Sequence, residues 1–238
     1  MLSEFDLIKQ YFRRPRPGRA VLGIGDDCAL LAPAPGMQMA ISTDMLVEGR
    51  HFFAGADARM LGHKCLAVNL SDLAAMGARP LGFTLALSLP AADPAWLAGF
   101  SSGLFALADL HDCELIGGDT TRGPLNICIT VFGEVAPGQA LRRDAARAGD
   151  DIWISGTLGD ARLALAGYWN EVALDPETQA LAAERMHLPT PRLALGQALA
   201  RLASPPAALD ISDGLAGDIK HILAASRVGA TLDADALP

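Results

Sequence analysis

Aspartates recur at the ends of short apolar runs, each beside Gly, Ser or Thr: GIGDD (Asp26, Asp27), ISTD (Asp44), GGDTT (Asp119) and LDISDG (Asp210, Asp213). Apolar runs of this length, bounded by turn residues, read as strands, and a strand delivers its last residue to an edge of the sheet. NLSD adds Asp72 inside a helical pattern. A single Asp beside Gly is an ordinary turn former or helix cap. Six such carboxylates from four distant segments form a joint pattern that turn chemistry explains poorly. A fold that gathers them needs cations, because clustered carboxylates do not all stay ionised alone.

Hard oxygen ligands without a supporting Cys or His set select Mg²⁺ over zinc, and Mg²⁺ commonly bridges a few carboxylates to substrate phosphates. That chemistry points to phosphoryl transfer. GGDTTRG supplies backbone amides, two hydroxyls and Arg122, and SGTLGD offers a glycine-rich turn into a helix N-terminus, both suited to phosphate. The commoner nucleotide signatures are missing: there is no GxxxxGK[ST], no GxGxxG after a first strand, and no HRD with DFG. No GxSxG elbow supports a serine hydrolase.

The remaining composition narrows the class. Hydrophobic residues make up 51% of the 238 and charged residues 19%, as in a globular protein of one large domain or two small ones. A net charge of −8 argues against nucleic-acid or anionic-membrane partners, which need a basic field. No stretch reaches ~18 consecutive apolar residues and the N-terminus has no apolar signal core, so a cytoplasmic protein is expected. The cysteines at 28, 65, 113 and 128 make no CxxC pair and read as reduced thiols in or near the core.

The spacing predicts a short helix capped by Ser3 and ended by Pro15 and Pro17, then strands at 20–25, 28–33, 37–44 and 81–89. A helix from 58 to 76 separates the last two. Asp93 followed by Pro94 opens a helix to about 110, and strands CELIG and NICITVFGEV frame GDTTRG as a loop. A further strand, DIWISG at 151–156, precedes helices at 159–169, 176–187, 192–203 and 214–226. The class is α/β with mixed sheets. A domain boundary falls within 137–150, giving an N-terminal domain over 1–140 and a C-terminal one over 141–238.

Together GIGDDCALL, AISTDMLVEGRHF, KCLAVNLSDLAAMGARP, LIGGDTTRGPL, SGTLGD and LDISDGLAGDIKHI resemble the thiamine-monophosphate kinases, relatives of aminoimidazole ribonucleotide synthetase and selenophosphate synthetase. The resemblance implies a two-domain, synthetase-like α/β architecture in which the N-terminal domains pair their sheets into a barrel in a homodimer. It implies ATP-dependent phosphorylation of thiamine monophosphate to thiamine diphosphate, in thiamine biosynthesis, by direct in-line transfer with several Mg²⁺ ions. By motif position Asp27, Ser42, Thr43, Asp44, Asp72, Asp119, Asp210 and Asp213 are the implied Mg²⁺ ligands. Gly118, Asp119, Arg143 and Ser212 are the implied nucleotide contacts, and His51 the implied substrate contact. Asp72, Asp119, Asp213 and Arg143 are the residues expected to carry catalysis, with no general base; Arg143 and Lys64 are the nearest candidates for cationic charge stabilisation, and only Arg143 is carried by the resemblance. The resemblance also implies that ATLDADALP falls partway through the second domain. Two alternatives stand beside this reading: a Mg-nucleotide-binding dimer without turnover, and a relative acting on another acceptor.

Overall fold

In a computed structural model, which describes residues 4–14 and 18–238, the central apolar runs become one four-stranded sheet. Its strands are β1 (Gln38–Val47), β2 (Arg79–Leu89), β3 (Glu114–Arg122) and β4 (Asn126–Val135), in the order β1-β4-β2-β3. β4 is antiparallel to both β1 and β2, whereas β2 and β3 are parallel, so the sheet is mixed. Parallel strands need long crossovers. The helix α2 (Ala58–Ala75) carries the chain from β1 to β2, and α3 (Pro94–Leu110) carries it from β2 to β3.

Both helices start where the sequence marks them. Asp57 accepts a hydrogen bond from the Met60 N–H, and Asp93 from the Ala95 N–H with Pro94 in the first turn. They cover the same face of the sheet. Leu66, Leu70, Leu97, Phe100 and Leu104 meet Phe83, Ile127, Ile129 and Val131 in a core from which water is excluded. Glycines let the two helices approach closely: a Cβ at Gly62 would lie 2.1 Å from the Phe100 carbonyl oxygen, and one at Gly103 1.8 Å from that of Arg59.

The other face of the sheet is open. Alternation puts Ile41, Thr43 and Met45 of β1 on it, with Ile41 61% and Met45 53% exposed. Across the strands, Thr43 faces Thr130 and Thr130 faces Thr84, while Met45 faces Cys128 and Cys128 faces Ala86.

The second half of the chain is helical: α4 (Asp160–Tyr168), α5 (Pro176–His187), α6 (Leu193–Ala200) and α7 (Leu215–Ser226), followed by a short 3₁₀ turn. α6 packs against α2 so closely that a Cβ at Gly196 would meet the Ala74 carbonyl oxygen at 2.1 Å. At the other end of the chain, α1 (Glu4–Leu7) continues as a π-helical turn through Phe12. Arg14 then grips Asp109 of α3 with two hydrogen bonds of 2.7 and 2.8 Å. Among the described residues no helix is long and apolar enough to cross a membrane.

Several expectations need correction. The runs at 20–25 and 28–33 form no strands; they meet through the isolated bridge of Leu22 with Leu30, and Ile24 bridges to Asp26 in the turn between them. Gly25 has φ 126°, which turns the chain before a ladder can grow. GDTTRG is not a loop: β3 runs to Arg122, each residue from Gly118 paired with β2, and only 123–125 connect it to β4. DIWISG is not a strand either. Among the described residues no strand lies beside 151–156 to pair its backbone, and Trp153 is 88% exposed. Ser3, Pro15 and Pro17 lie outside the described residues.

Candidate active site

The inner face of β1 turns Ser42 and Asp44 toward α2, where they meet Asp72. The Ser42 hydroxyl donates to the Asp72 carboxylate at 2.5 Å. β1 is an edge strand, so alternate N–H groups point away from β4. One of these, on Asp44, donates to Oδ1 of Asn69 at 3.1 Å, while Nδ2 of Asn69 donates to the Cys65 carbonyl at 2.9 Å. Asn69 is fully buried and has both ends of its amide satisfied. It is the joint between helix and strand.

Asp210 completes a half-buried trio. Burial raises the pKa of Asp44, and the charge of Asp210 raises it further. Burial likewise raises Asp72, with the Ser42 hydrogen bond and Arg143 opposing and Asp44 adding to the rise. Asp210 is raised by burial and then by Asp72, against a hydrogen bond from Ser71. Three carboxyls are therefore close enough to repel one another where solvent cannot fully screen them. Positive charge relieves that strain, and Arg143 supplies part of it. Among the described residues no three His, Cys, Asp or Glu side chains form a ready-made metal cage. The donor set suits Mg²⁺, which takes one or two carboxylates and fills its remaining positions with water and phosphate oxygens.

Two backbone devices hold the flanking loops. Asp218, in the first turn of α7, is buried and accepts from the N–H groups of Ser212 at 2.9 Å and Asp213 at 3.1 Å, pinning the DISDG turn beside Asp210. After β1, Nδ1 of His51 accepts from the Val47 N–H at 3.0 Å, which leaves the ring proton on the exposed Nε2. Lys64 of α2 donates to the His51 carbonyl at 3.0 Å.

Comparison with known proteins places the chain in a family. The family model "AIR synthase related protein, N-terminal domain" matches residues 25–135. The thiamine-monophosphate kinase of Salmonella typhimurium is 51% identical over 239 residues, an alignment covering 99% of this chain and 73% of that protein. The chain belongs to the thiamine-monophosphate kinase family. The crystal structure of the family member from Stenotrophomonas maltophilia superposes with a TM-score of 0.85 at 52% identity, over 92% of this chain and 71% of that one. AaThiL, solved in complex with AMPPCP and TMP, superposes with a TM-score of 0.75 at 29% identity, over 82% of this chain and 63% of that one. The chain is thus a kinase of a mixed α/β fold.

The family motifs are gathered unevenly. Ser42, Asp44, Asp72 and Asp210 come together, with Arg143, His51 and the Ser212–Asp213 turn around them. The Arg143 loop is held to α7 by Ser226, whose hydroxyl donates to the Arg143 carbonyl at 2.7 Å. Thr43 points to the open face, its hydroxyl 2.9 Å from that of Thr130, so only its main chain faces the carboxylates. Asp27 and Asp119 are exposed, and neither is among the charges that perturb the trio. Asp119 lies on β3 opposite Ala86, at the far edge of the sheet from β1. Gly118 before it must be glycine: with φ 146°, a Cβ would sit 1.9 Å from the Leu85 carbonyl oxygen.

Asn69 and Asp218 escaped the reading of the sequence. Asn69 stands on an otherwise apolar stripe with Leu66, Leu70 and Leu73, and a polar residue on a buried helix face is the signal that could have found it. Asp218 sits in the first turn after DISDG, where an acidic group has exposed N–H groups to accept from.

Proposed function

We propose that the chain transfers the γ-phosphoryl group of ATP directly and in line to the phosphate of thiamine monophosphate, giving thiamine diphosphate with several Mg²⁺ ions. The observation that carries this reading is the half-buried trio Asp44, Asp72 and Asp210, whose mutual repulsion fits a site completed by cations. Asp27, Ser42, Thr43, Asp119 and Asp213 are the further proposed Mg²⁺ ligands. When bound, Mg²⁺ neutralises charge on the transferring and leaving oxygens. Phosphoryl transfer passes through a loose transition state, so the protein's task is positioning and charge stabilisation. Arg143 stands near enough to Asp72 for its charge to act on that carboxylate. Gly118, Asp119, Arg143 and Ser212 are proposed to seat the nucleotide, and the exposed Nε2–H of His51 to donate to the acceptor. No general base is needed, because the acceptor oxygen is already anionic.

The sheet order bears on assembly. Three strand spacings of ~4.8 Å put β3 about 14 Å from β1, too far for Asp119 to share a cation with Asp44 of its own chain. We infer a homodimer in the cytoplasm in which the open faces of two sheets meet, the faces on which Asp119 lies in one row with Met45. The apolar residues Ile41 and Met45 on that face support the pairing. The division into domains near residue 140, just beyond the end of β4, is part of the same proposal.

The test is chromatographic detection of thiamine diphosphate after incubation with Mg-ATP and thiamine monophosphate. Product is expected to form and to disappear with EDTA. Asp72→Asn keeps its Ser42 partner and is expected to lower kcat by on the order of 100-fold with the fold intact. Wild-type turnover in that variant would refute the assignment of the trio.

A further inference from the structure

We propose that the ammonium group of Lys64 holds the phosphate of the acceptor substrate, an assignment that rests on the kinase reading above. Along α2, Lys64, Val68, Ser71 and Asp72 form one half-buried stripe, Lys64 about 12 Å along the axis from Asp72. The stripe therefore carries an acid at one end and a base at the other. Ser42 and Asp210 attach at the acid end, and His51 at the basic end.

Among the described residues no carboxylate is in ion-pair contact with Lys64, and the acid of this region, Asp57, acts on the neighbouring His187. The one hydrogen bond of Lys64 among these residues goes to the neutral carbonyl of His51. An ammonium has three donors, and among the described residues the other two have no partner. Burial favours its neutral form and lowers its pKa. Holding a positive charge in such a place is costly unless a ligand supplies the negative one.

The surroundings decide which phosphate. Lys64 is close enough to His187 for its charge to lower that residue's pKa, after burial. The Tyr168 hydroxyl lies 3.3 Å from Nε2 of His187, and the Tyr168 ring packs edge-on against Phe53 at 5.5 Å between centroids. Phe53 and Tyr168 remain 37% and 43% exposed. A cation beside exposed ring faces matches a phosphate monoester carried on a flat heteroaromatic body. Arg143, the cation that acts on Asp72, stands by the carboxylates instead. His51 links the two regions, because its carbonyl accepts from Lys64 while its ring accepts from the Val47 N–H of β1, the strand that carries Asp44.

Lys64 could instead serve only to fasten the His51 loop, and two substitutions separate the roles. Lys64→Gln keeps a donor for the His51 carbonyl without the charge; Lys64→Met removes both. Steady-state KM values for thiamine monophosphate and ATP would be measured, with equilibrium dialysis against thiamine monophosphate and against AMPPCP. Both variants are expected to weaken binding of thiamine monophosphate at least ~10-fold, about 1.4 kcal/mol, and to leave nucleotide binding within ~2-fold. A Lys64→Gln variant that behaves as wild type, or a parallel loss of nucleotide affinity, would overturn the proposal. So would a wild-type chain that binds AMPPCP but not thiamine monophosphate. A wild type that binds neither ligand would overturn the kinase reading itself.

Discussion

Replacing Asn69 by Ala tests whether one buried amide sets the position of the catalytic strand. In the native structure Asn69 is fully buried, accepts from the Asp44 N–H at 3.1 Å and donates to the Cys65 carbonyl at 2.9 Å. Truncation strands the Asp44 N–H, which costs about 1–3 kcal/mol when the group is not reached by water. The space left by the amide adds on the order of 1 kcal/mol. The Cys65 carbonyl loses little, since it also receives a helical N–H. The sum is about 2–4 kcal/mol, and for a chain of this length that lowers Tm by ~5–15 °C. Thermal unfolding followed by circular dichroism, with and without Mg-ATP, measures it. The stabilisation conferred by Mg-ATP is expected to shrink as well, because Asp44 is released with the strand. A Tm within ~1 °C of wild type and an unchanged Mg-ATP shift would refute the reasoning.

The trio makes stability depend on pH in the absence of metal. Asp210 is raised above the ordinary carboxylate value near 4, so the folded state holds its proton more tightly than the unfolded one. The stability this contributes is fully present below that value and is lost as pH rises through the raised one. In EDTA the Tm of wild type is expected to fall relative to that of Asp210→Asn from about pH 4 upward, and saturating Mg²⁺ to close the gap. Parallel Tm–pH curves for the two proteins would count against mutual repulsion. Gly103→Ala places a methyl carbon where the Arg59 carbonyl oxygen is 1.8 Å away, and α3 must move off α2. Denaturant titration is expected to show a loss of about 1–3 kcal/mol; an unchanged midpoint would mean the helices are not in close contact there.

Elements whose signals are local were legible. The Asp–Pro start of α3 and that of α5, where Asp175 accepts from Glu177 and Thr178, need only neighbouring residues to form. The alternation of β4 and the buried runs of β2 were likewise readable, since each strand finds its partner inside the described sheet. The residues at 151–156 have the same apolar character but no pairing strand among the described residues, and a strand exists only by pairing. GDTTRG misled for the opposite reason: Gly, Asp and Thr favour turns, yet register with β2 carries β3 through them. At the site, the carboxylates were visible because acids at strand ends stand out. Asn69 and Asp218 act on main-chain N–H groups, whose need for a partner is invisible until the backbone path is known.

The alternation along β1 carries a further consequence for how this chain can vary. Ser42, Asp44 and Leu46 face the helices while Ile41, Thr43 and Met45 face outward. Losing or gaining one residue between Gln38 and Asp44 would exchange the two sets, turning hydrocarbon toward Asp72 and acid toward the open face. β4 alone would not resist such a slip, because its backbone pairs equally well in either phase. Side chains on the inner face must arbitrate, and Asn69 is the one that reads β1 by its main chain. Changes of length should therefore be absorbed in the turn at 53–56, whereas β1 behaves as a ruler whose graduations are the chemistry.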